Sequence, residues 1–478
     1  MDLPSRSYGF RLEEAWIPMP DGVRLAANLF LPDGAGPAER FPAVLEYLPY
    51  RKDDGLFERD WDLYSYLVPR GFVGAKVDIR GTGRSEGVLP DREYSEQEQA
   101  DGEVVIAWLA EQAWSNGNVG MWGVSWGGFN SIQMAMREPP PPALRAILAV
   151  DATDDLFHDD VHYIDGMMHV DEYDVMIDLD GARSGAPGFP LDEETLAARF
   201  DRPPWKLLWL RHQRDGHFWR RGSLRPDYAR LRVPAFLIGG YLDGYRDSVP
   251  RMLHHVPAPV RAIVGPWNHT FPHAASPGPE IEWRHEAVRW WSWWLRGEDT
   301  GIMDEPPFAV FVRRWHPPGT GLDEVPGEWR WEDGWPLERG RDETLTLRDD
   351  HSLGPEAGPA SSHRSAYVPS AGAETGLVWW GELVPDQGAA DWACLVYDSA
   401  PLEDDVEILG FPRAALRASA DAPLAHWFVR LSDVAPHGAV TLVTGAGLNG
   451  AHRRSAADPE PLRPGATEDL TVEMHFTS

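Results

Sequence analysis

The 478 residues predict an α/β fold with an inserted helical cap, followed by a β-rich C-terminal domain. Three observations carry that expectation. As far as about Thr300, short apolar runs bounded by Gly, Pro or Asp alternate with longer amphipathic ones, the mark of a mostly parallel sheet covered by helices. Between the runs ending at Val150 and starting at Pro234 there is no clear strand pattern, and that gap is too long for an ordinary connection. From about Pro306 helical periodicity fades into short apolar or alternating runs between Gly and Pro turns.

Taken in order, Ala43–Tyr47, Phe72–Asp78, Val119–Gly123, Leu144–Val150, Pro234–Gly239 and Val260–Val264 read as buried strands. Glu96–Gln112 places Val104, Val105, Trp108 and Leu109 in a helical stripe, and Ser125–Met136 is a second helix, stopped by Pro139–Pro142. Phe308–Val312, Thr344–Leu347, Trp427–Leu431 and Val440–Val443 read as strands of a sandwich or jelly roll. The expected division is a core over 1–151, a cap over 152–230, a second core part over 231–304 and a β domain over 305–478.

Composition excludes several functions. A formal charge of −31 repels phosphate backbones and anionic lipid, so neither nucleic acid nor a membrane surface is an expected partner. With 43% hydrophobic and 11% aromatic residues the chain is too apolar for an acidic disordered protein. The single cysteine, Cys394, rules out an intrachain disulfide and a multi-thiolate metal site. The first residues lack a signal-peptide core and no apolar stretch is long enough to span a bilayer, so a cytoplasmic address is expected. Tryptophan, at 23 residues, outnumbers phenylalanine at 17 and tyrosine at 13.

The chemistry centres on Gly123-Val124-Ser125-Trp126-Gly127-Gly128, which follows one predicted strand and opens a predicted helix. This is the context a G-x-S-x-G nucleophile elbow requires: the turn is tight, and glycines leave room where Cβ atoms would clash. A serine hydroxyl needs a base, and the base needs a carboxylate to orient it. Asp243 follows the strand Phe236–Gly239, and His269 follows the next strand, so the order serine, acid, histidine is respected. Asp247 and His273 are the nearest rivals.

These stretches, with Asp78–Ser85, Trp290–Gly297, Arg430–Val434 and Leu448–Ser455, resemble the CocE/NonD serine hydrolases. That family includes X-Pro dipeptidyl-peptidase-like, cocaine-esterase-like and α-amino-acid ester hydrolase members. The resemblance covers nearly the whole chain and implies an α/β-hydrolase domain, a helical cap and a C-terminal jelly roll. It also implies an oxyanion hole: Tyr50, within Pro49-Tyr50-Arg51-Lys52, would donate through its hydroxyl, and Trp126 through its backbone N–H. Family members usually continue through further strands with a Gly-His-Arg stretch, whereas this sequence ends at Ser478. The expectation is therefore a β domain that is incomplete or completed by a neighbour, with a homo-oligomer as one outcome.

Asp154, Asp155, Asp159, Asp160 and His162 are expected near the pocket mouth, favouring substrates that carry an amine, with Trp205, Trp209 and Trp219 as cap walls. His158 and His162 are spaced i, i+4 but lack the HExxH pattern, so no metal is expected there. Asp178–Gly181 fails as a calcium loop because Met176 and Pro187 fall where acids are needed. Gly81–Gly87 is one residue off the dinucleotide fingerprint, so no cofactor is expected. The helix containing Trp290, Trp291, Trp293 and Trp294 reads as a wedge between domains. The chain thus reads as a cofactor-free serine hydrolase acting on a small ester or amide, esters ahead of peptides. An acyltransferase using the same acyl-enzyme, and a non-catalytic jelly-roll binding protein, are the alternatives.

Overall fold

The computed structural model describes residues 4–169, 192–369 and 383–478, so the Asp178–Gly181 stretch lies outside the described residues. Ten strands form one mixed sheet. They are β1 (Gly9–Pro18), β2 (Arg24–Asp33), β3 (Phe41–Leu48), β4 (Val73–Asp78) and β5 (Ser115–Val124). They continue with β6 (Leu144–Val150), β7 (Ala235–Gly240), β8 (Val260–Gly265), β9 (Phe308–Arg313) and β10 (Gly327–Glu332). The spatial order is β1-β2-β4-β3-β5-β6-β7-β8-β9-β10. Neighbours from β4 to β9 run parallel, and antiparallel strands close both edges.

All six strands expected from the apolar runs are present, as β3 to β8. Two features differ. The β1–β2 hairpin was not expected, because β1 is an edge strand exposed along most of its length and shows no clean alternation. The run at Phe308 belongs to the main sheet: β9 pairs in parallel with β8, so the sheet continues past residue 305, where the β domain was expected to begin. A short apolar run carries no mark of which sheet it joins; the crossover helix that precedes it decides.

Side chains alternate across the strands. Leu45 and Tyr47 of β3 face one apolar cluster, and Val44 faces the other. The first cluster is covered by α2 (Glu96–Glu111) and α3 (Trp126–Ala135). The second is covered by α1 (Phe57–Leu67) and the tryptophan-rich helix Trp283–Arg296. That helix is not a wedge between domains. Trp290 and Trp291 are fully buried on the sheet's own face, and Trp290 Nε1 donates to the Ile147 carbonyl of β6 at 3.2 Å. Gly120 of β5 is a glycine for the same reason: a Cβ there would lie 2.6 Å from the Trp291 ring.

The cap between β6 and β7 is built from short helices, among them α4 (Glu193–Phe200), α5 (Trp205–Trp209) and α6 (His217–Arg220). In the C-terminal part, β11 (Arg413–Ala418) pairs with β14 (Glu468–Glu473), and β12 (His426–Val434) with β13 (Val440–Asn449), both antiparallel. Ala446, Val472 and Met474 form their small core. No helix among the described residues is long and apolar enough to cross a membrane.

The last residues dock onto the α/β part. His475 Nδ1 lies 2.8 Å from Asp247 Oδ2, the Phe476 amide donates to Asp247 Oδ1 at 2.7 Å, and the Phe476 ring packs edge-on to Trp335 at 5.1 Å. Burial and Arg246 pull the His475 imidazole down, but Asp165 and Asp247 outweigh them and hold it up at about 10. Asp247 is held well below the usual carboxylate range by His475, against its own burial. A histidine raised in the folded state stabilises fully below its ordinary value near 6.5, and that stabilisation is lost as pH rises through about 10. Asp247 works in the other direction, losing its contribution as pH falls below the ordinary aspartate range. The urea midpoint should therefore fall between pH 6 and pH 10.5. His475→Gln should flatten that dependence and lower stability at pH 6 by about 3–5 kcal/mol, the effect of breaking a buried pair. An unchanged midpoint would contradict this role.

Candidate active site

β5 ends in a turn that the sequence makes tight. Ser125 has φ 58° and ψ −125°, a conformation costing a non-glycine residue roughly 1–3 kcal/mol. Its amide donates to the Val150 carbonyl at 3.0 Å, tying the turn to β6. A Cβ on Gly123 would lie 2.6 Å from Gly127 Cα, and one on Gly128 would lie 2.8 Å from Ala152 Cβ, so both positions need glycine. α3 starts at Trp126, directing unpaired N–H groups of its first turn toward the space beside Ser125.

Beneath this turn is a residue that sequence reasoning missed. Glu98 Oε1 accepts from Trp126 Nε1 at 2.8 Å and from Asn130 Nδ2 at 2.9 Å, anchoring the first turns of α3. Burial pushes its carboxyl up to about 7, against the pull of those two donors. The available signal was Ser95 three residues earlier, which caps α2 by accepting from the Glu98 amide at 3.0 Å.

The other two expected residues arrive at the same sheet edge. The registers Val124↔Val150, Val150↔Ile238 and Gly240↔Gly265 align the C-terminal ends of β5 to β8. Asp243 follows β7 and His269 follows β8, and their side chains meet: His269 Nδ1 is 2.5 Å from Asp243 Oδ2. Asp243 is fully buried, and its other oxygen accepts from the Tyr245 amide at 2.7 Å. The rivals are engaged elsewhere, Asp247 with His475 and His273 with Asp62 at 2.8 Å. Tyr50 follows β3, the neighbour of β5, and its ring stands edge-on to Trp126 at 6.2 Å.

A second missed residue is Asp151, which directly follows β6 at φ 45°. Asp151, Asp243 and His269 each bring a polar atom within 4.8 Å of the others. Backbone N–H groups of Gly240 and Thr270 donate to Asp151, while its Oδ2 is buried without a hydrogen bond. Burial first, and the charge of Asp243 second, raise this carboxyl well above the usual range. The signal was an acid directly after a predicted strand, the criterion that selected Asp243.

The expected pocket acids are placed differently. Asp154, Asp155 and Asp159 are buried, not at an open mouth. Asp154 accepts from Tyr228 and Arg251, each at 2.5 Å, and Arg251 also pairs with Asp159. Asp155 contacts His158 at 2.8 Å and Arg225 at 3.1 Å, which hold its carboxyl well below the usual range despite burial. Acids buried together need cations, and Arg225 and Arg251 pair with these three carboxylates inside the protein. His162 is likewise buried, 2.8 Å from Glu93 and stacked at 3.6 Å on Trp209. Of the expected walls, Trp205 does approach the site, its ring 5.8 Å from that of Trp126. Glu93, Asp160 and His162 form the other trio of metal-ligand-type side chains among the described residues.

Comparison with known proteins identifies the family. Residues 21–271, just over half the chain, match the family model described as X-Pro dipeptidyl-peptidase (S15 family). Residues 293–478 match the X-Pro dipeptidyl-peptidase C-terminal non-catalytic domain. The chain is similar to a cocaine esterase of Rhodococcus sp., 27% identical over 97% of this chain and 87% of that protein. It is also similar to a putative serine esterase of Mycobacterium bovis, 25% identical over 96% of this chain and 83% of that one. The fold matches the crystal structure of a CocE/NonD family hydrolase from Staphylococcus aureus, with a TM-score of 0.74 and 19% identity over 98% of this chain and 83% of that one. With an elbow serine, a buried acid–histidine pair and both family models in register along it, the chain belongs to the X-Pro dipeptidyl-peptidase (S15) family and is a serine hydrolase.

Proposed function

We propose that Ser125, His269 and Asp243 form a catalytic triad that hydrolyses small carboxylic esters. The observation that carries this is the 2.5 Å contact between His269 and Asp243 at the sheet edge where Ser125 is held in a strained turn. Ser125 Oγ attacks the carbonyl carbon, and its proton passes to His269 Nε2, because Nδ1 is engaged by Asp243. The same proton goes to the departing alkoxide, and water then attacks the acyl-enzyme with His269 as base. The Tyr50 hydroxyl and the Trp126 amide bind the oxyanion. Esters are placed ahead of amides because an alkoxide or phenoxide leaves with less help from a proton than an amine does. The charge of −31 argues against nucleic acid as a partner, and a lone exposed cysteine, Cys394, suits the cytoplasm.

A fluorophosphonate probe should label Ser125, located by peptide mapping, and a panel of acyl-chain esters and X-Pro amides should show faster turnover of esters. Labelling elsewhere would end the triad assignment, and faster amide turnover would reverse the substrate order. Tyr50→Phe should lower kcat by about 10²–10³-fold with little change in KM, as loss of one oxyanion donor does. An unchanged kcat would remove Tyr50 from the hole.

A further inference from the structure

In a protein with a net charge of −31, one cavity is lined by cations. It holds about 650 Å³ between the cap, the segment at Arg92 and the C-terminal part at Ala457. Arg92, Arg211, Arg214, Arg221, His212 and His217 line it, against one acid, Asp215. Asp215 is already committed, accepting three bonds from Arg220 at 2.6, 3.1 and 3.1 Å. Among the described residues Arg92, Arg211 and Arg214 have no ion pair, and Arg221 reaches only Glu96, at 3.8 Å, a carboxylate that Arg137 holds at 2.8 Å. The global negative charge does not cancel this cluster, because exposed charges beyond roughly 8 Å are largely screened at physiological salt.

The cluster is organised rather than loose. The Arg92 guanidinium lies 3.8 Å over the Phe218 ring, and His212 stacks on that ring at 4.0 Å. Arg92 donates to the backbone carbonyls of Phe218 at 2.8 Å and Glu93 at 3.2 Å, so its position is fixed by backbone acceptors and not by a salt bridge. Arg221 is fixed in the same way by the Tyr94 carbonyl. Burial, then the charge of Arg221, lowers Arg92 to about 10, and burial, then Arg92 and Arg211, lowers His212. Cations held close together and short of counter-charge are what an incoming anion relieves.

We propose that this cavity binds a small molecule through an oxyanionic group, carboxylate or phosphate, gripped by Arg92, Arg211, Arg214 and Arg221. The residues are separate from Ser125, Asp243 and His269, and binding is read without turnover. Arg211 and Arg214 are exposed, so Arg211→Gln/Arg214→Gln leaves the folded core untouched. Calorimetric titration of the full chain with citrate, and separately with inorganic phosphate, at constant ionic strength in chloride, tests the site. Saturable binding of one anion per chain is expected, weakened about tenfold or more in the double variant, since each charged contact supplies roughly that factor. Binding of citrate alone identifies a carboxylate ligand, and binding of phosphate alone a phosphorylated one. No saturable binding of either anion, or equal binding by the double variant, would overturn the proposal.

Discussion

Ser125→Ala is expected to lower kcat on any chromogenic ester by about 10⁵–10⁶-fold, with the protein still folded. The size follows from what the side chain does. Removing Oγ removes the covalent route, and the histidine and acid then have no hydroxyl to activate. Residual catalysis would come from the oxyanion hole and substrate positioning alone, the part of such sites that survives loss of the nucleophile. Folding should survive because Ser125 adopts φ 58° through the constraints of β5 and α3, and its amide bond to Val150 is independent of the side chain. Alanine carries the same Cβ as serine, so the positive φ adds no new cost. His269→Ala should fall nearly as far and should not add to Ser125→Ala, since groups acting as a unit are non-additive. A Ser125→Ala enzyme within tenfold of the parent would show that the chemistry lies elsewhere.

The parts of the site that were legible in the sequence were those tied to backbone geometry. The elbow announced itself because Gly123 and Gly128 are forced by close approaches, and His269 and Asp243 because parallel strands put their loops on one edge. Charge was harder to read. Asp154, Asp155 and Asp159 look like a surface cluster in one dimension, yet Arg225 and Arg251, far along the chain, neutralise them in the interior. No local pattern announces a partner that distant. The strand at Phe308 failed for the same reason: its neighbour β8 is chosen by a crossover through the tryptophan helix, not by its own residues. Glu98 and Asp151 were missed because each is one acid among 75 acidic residues, and a helix cap or a strand end marks a place in the fold without marking chemistry.

Asp243→Asn should lower kcat/KM at pH 7 by about 10³–10⁴-fold, because an amide no longer holds His269 in its working tautomer or stabilises its charged form. Asp151 gives this variant a distinctive pH profile. In the parent, two carboxylates and one imidazole lie within 4.8 Å, and Asp243 is bonded to His269 and to the Tyr245 amide. Burial, and that neighbouring carboxylate, raise the Asp151 carboxyl well above the usual range. Once Asp243 is neutral, the second of those causes disappears, and Asp151 ionises at a lower pH than before. Its carboxylate then supplies negative charge beside His269. Activity of Asp243→Asn should therefore recover about tenfold or more as pH rises, while Asp243→Asn/Asp151→Asn stays flat. Asp151→Asn alone should remain within about threefold of the parent at pH 7, since an amide keeps the carboxyl's shape, accepts the same backbone donors and tolerates φ 45°. Identical pH profiles for the single Asp243 variant and the double variant would show that Asp151 carries no charge in the site, and a large loss in Asp151→Asn would show that it is already ionised in the parent.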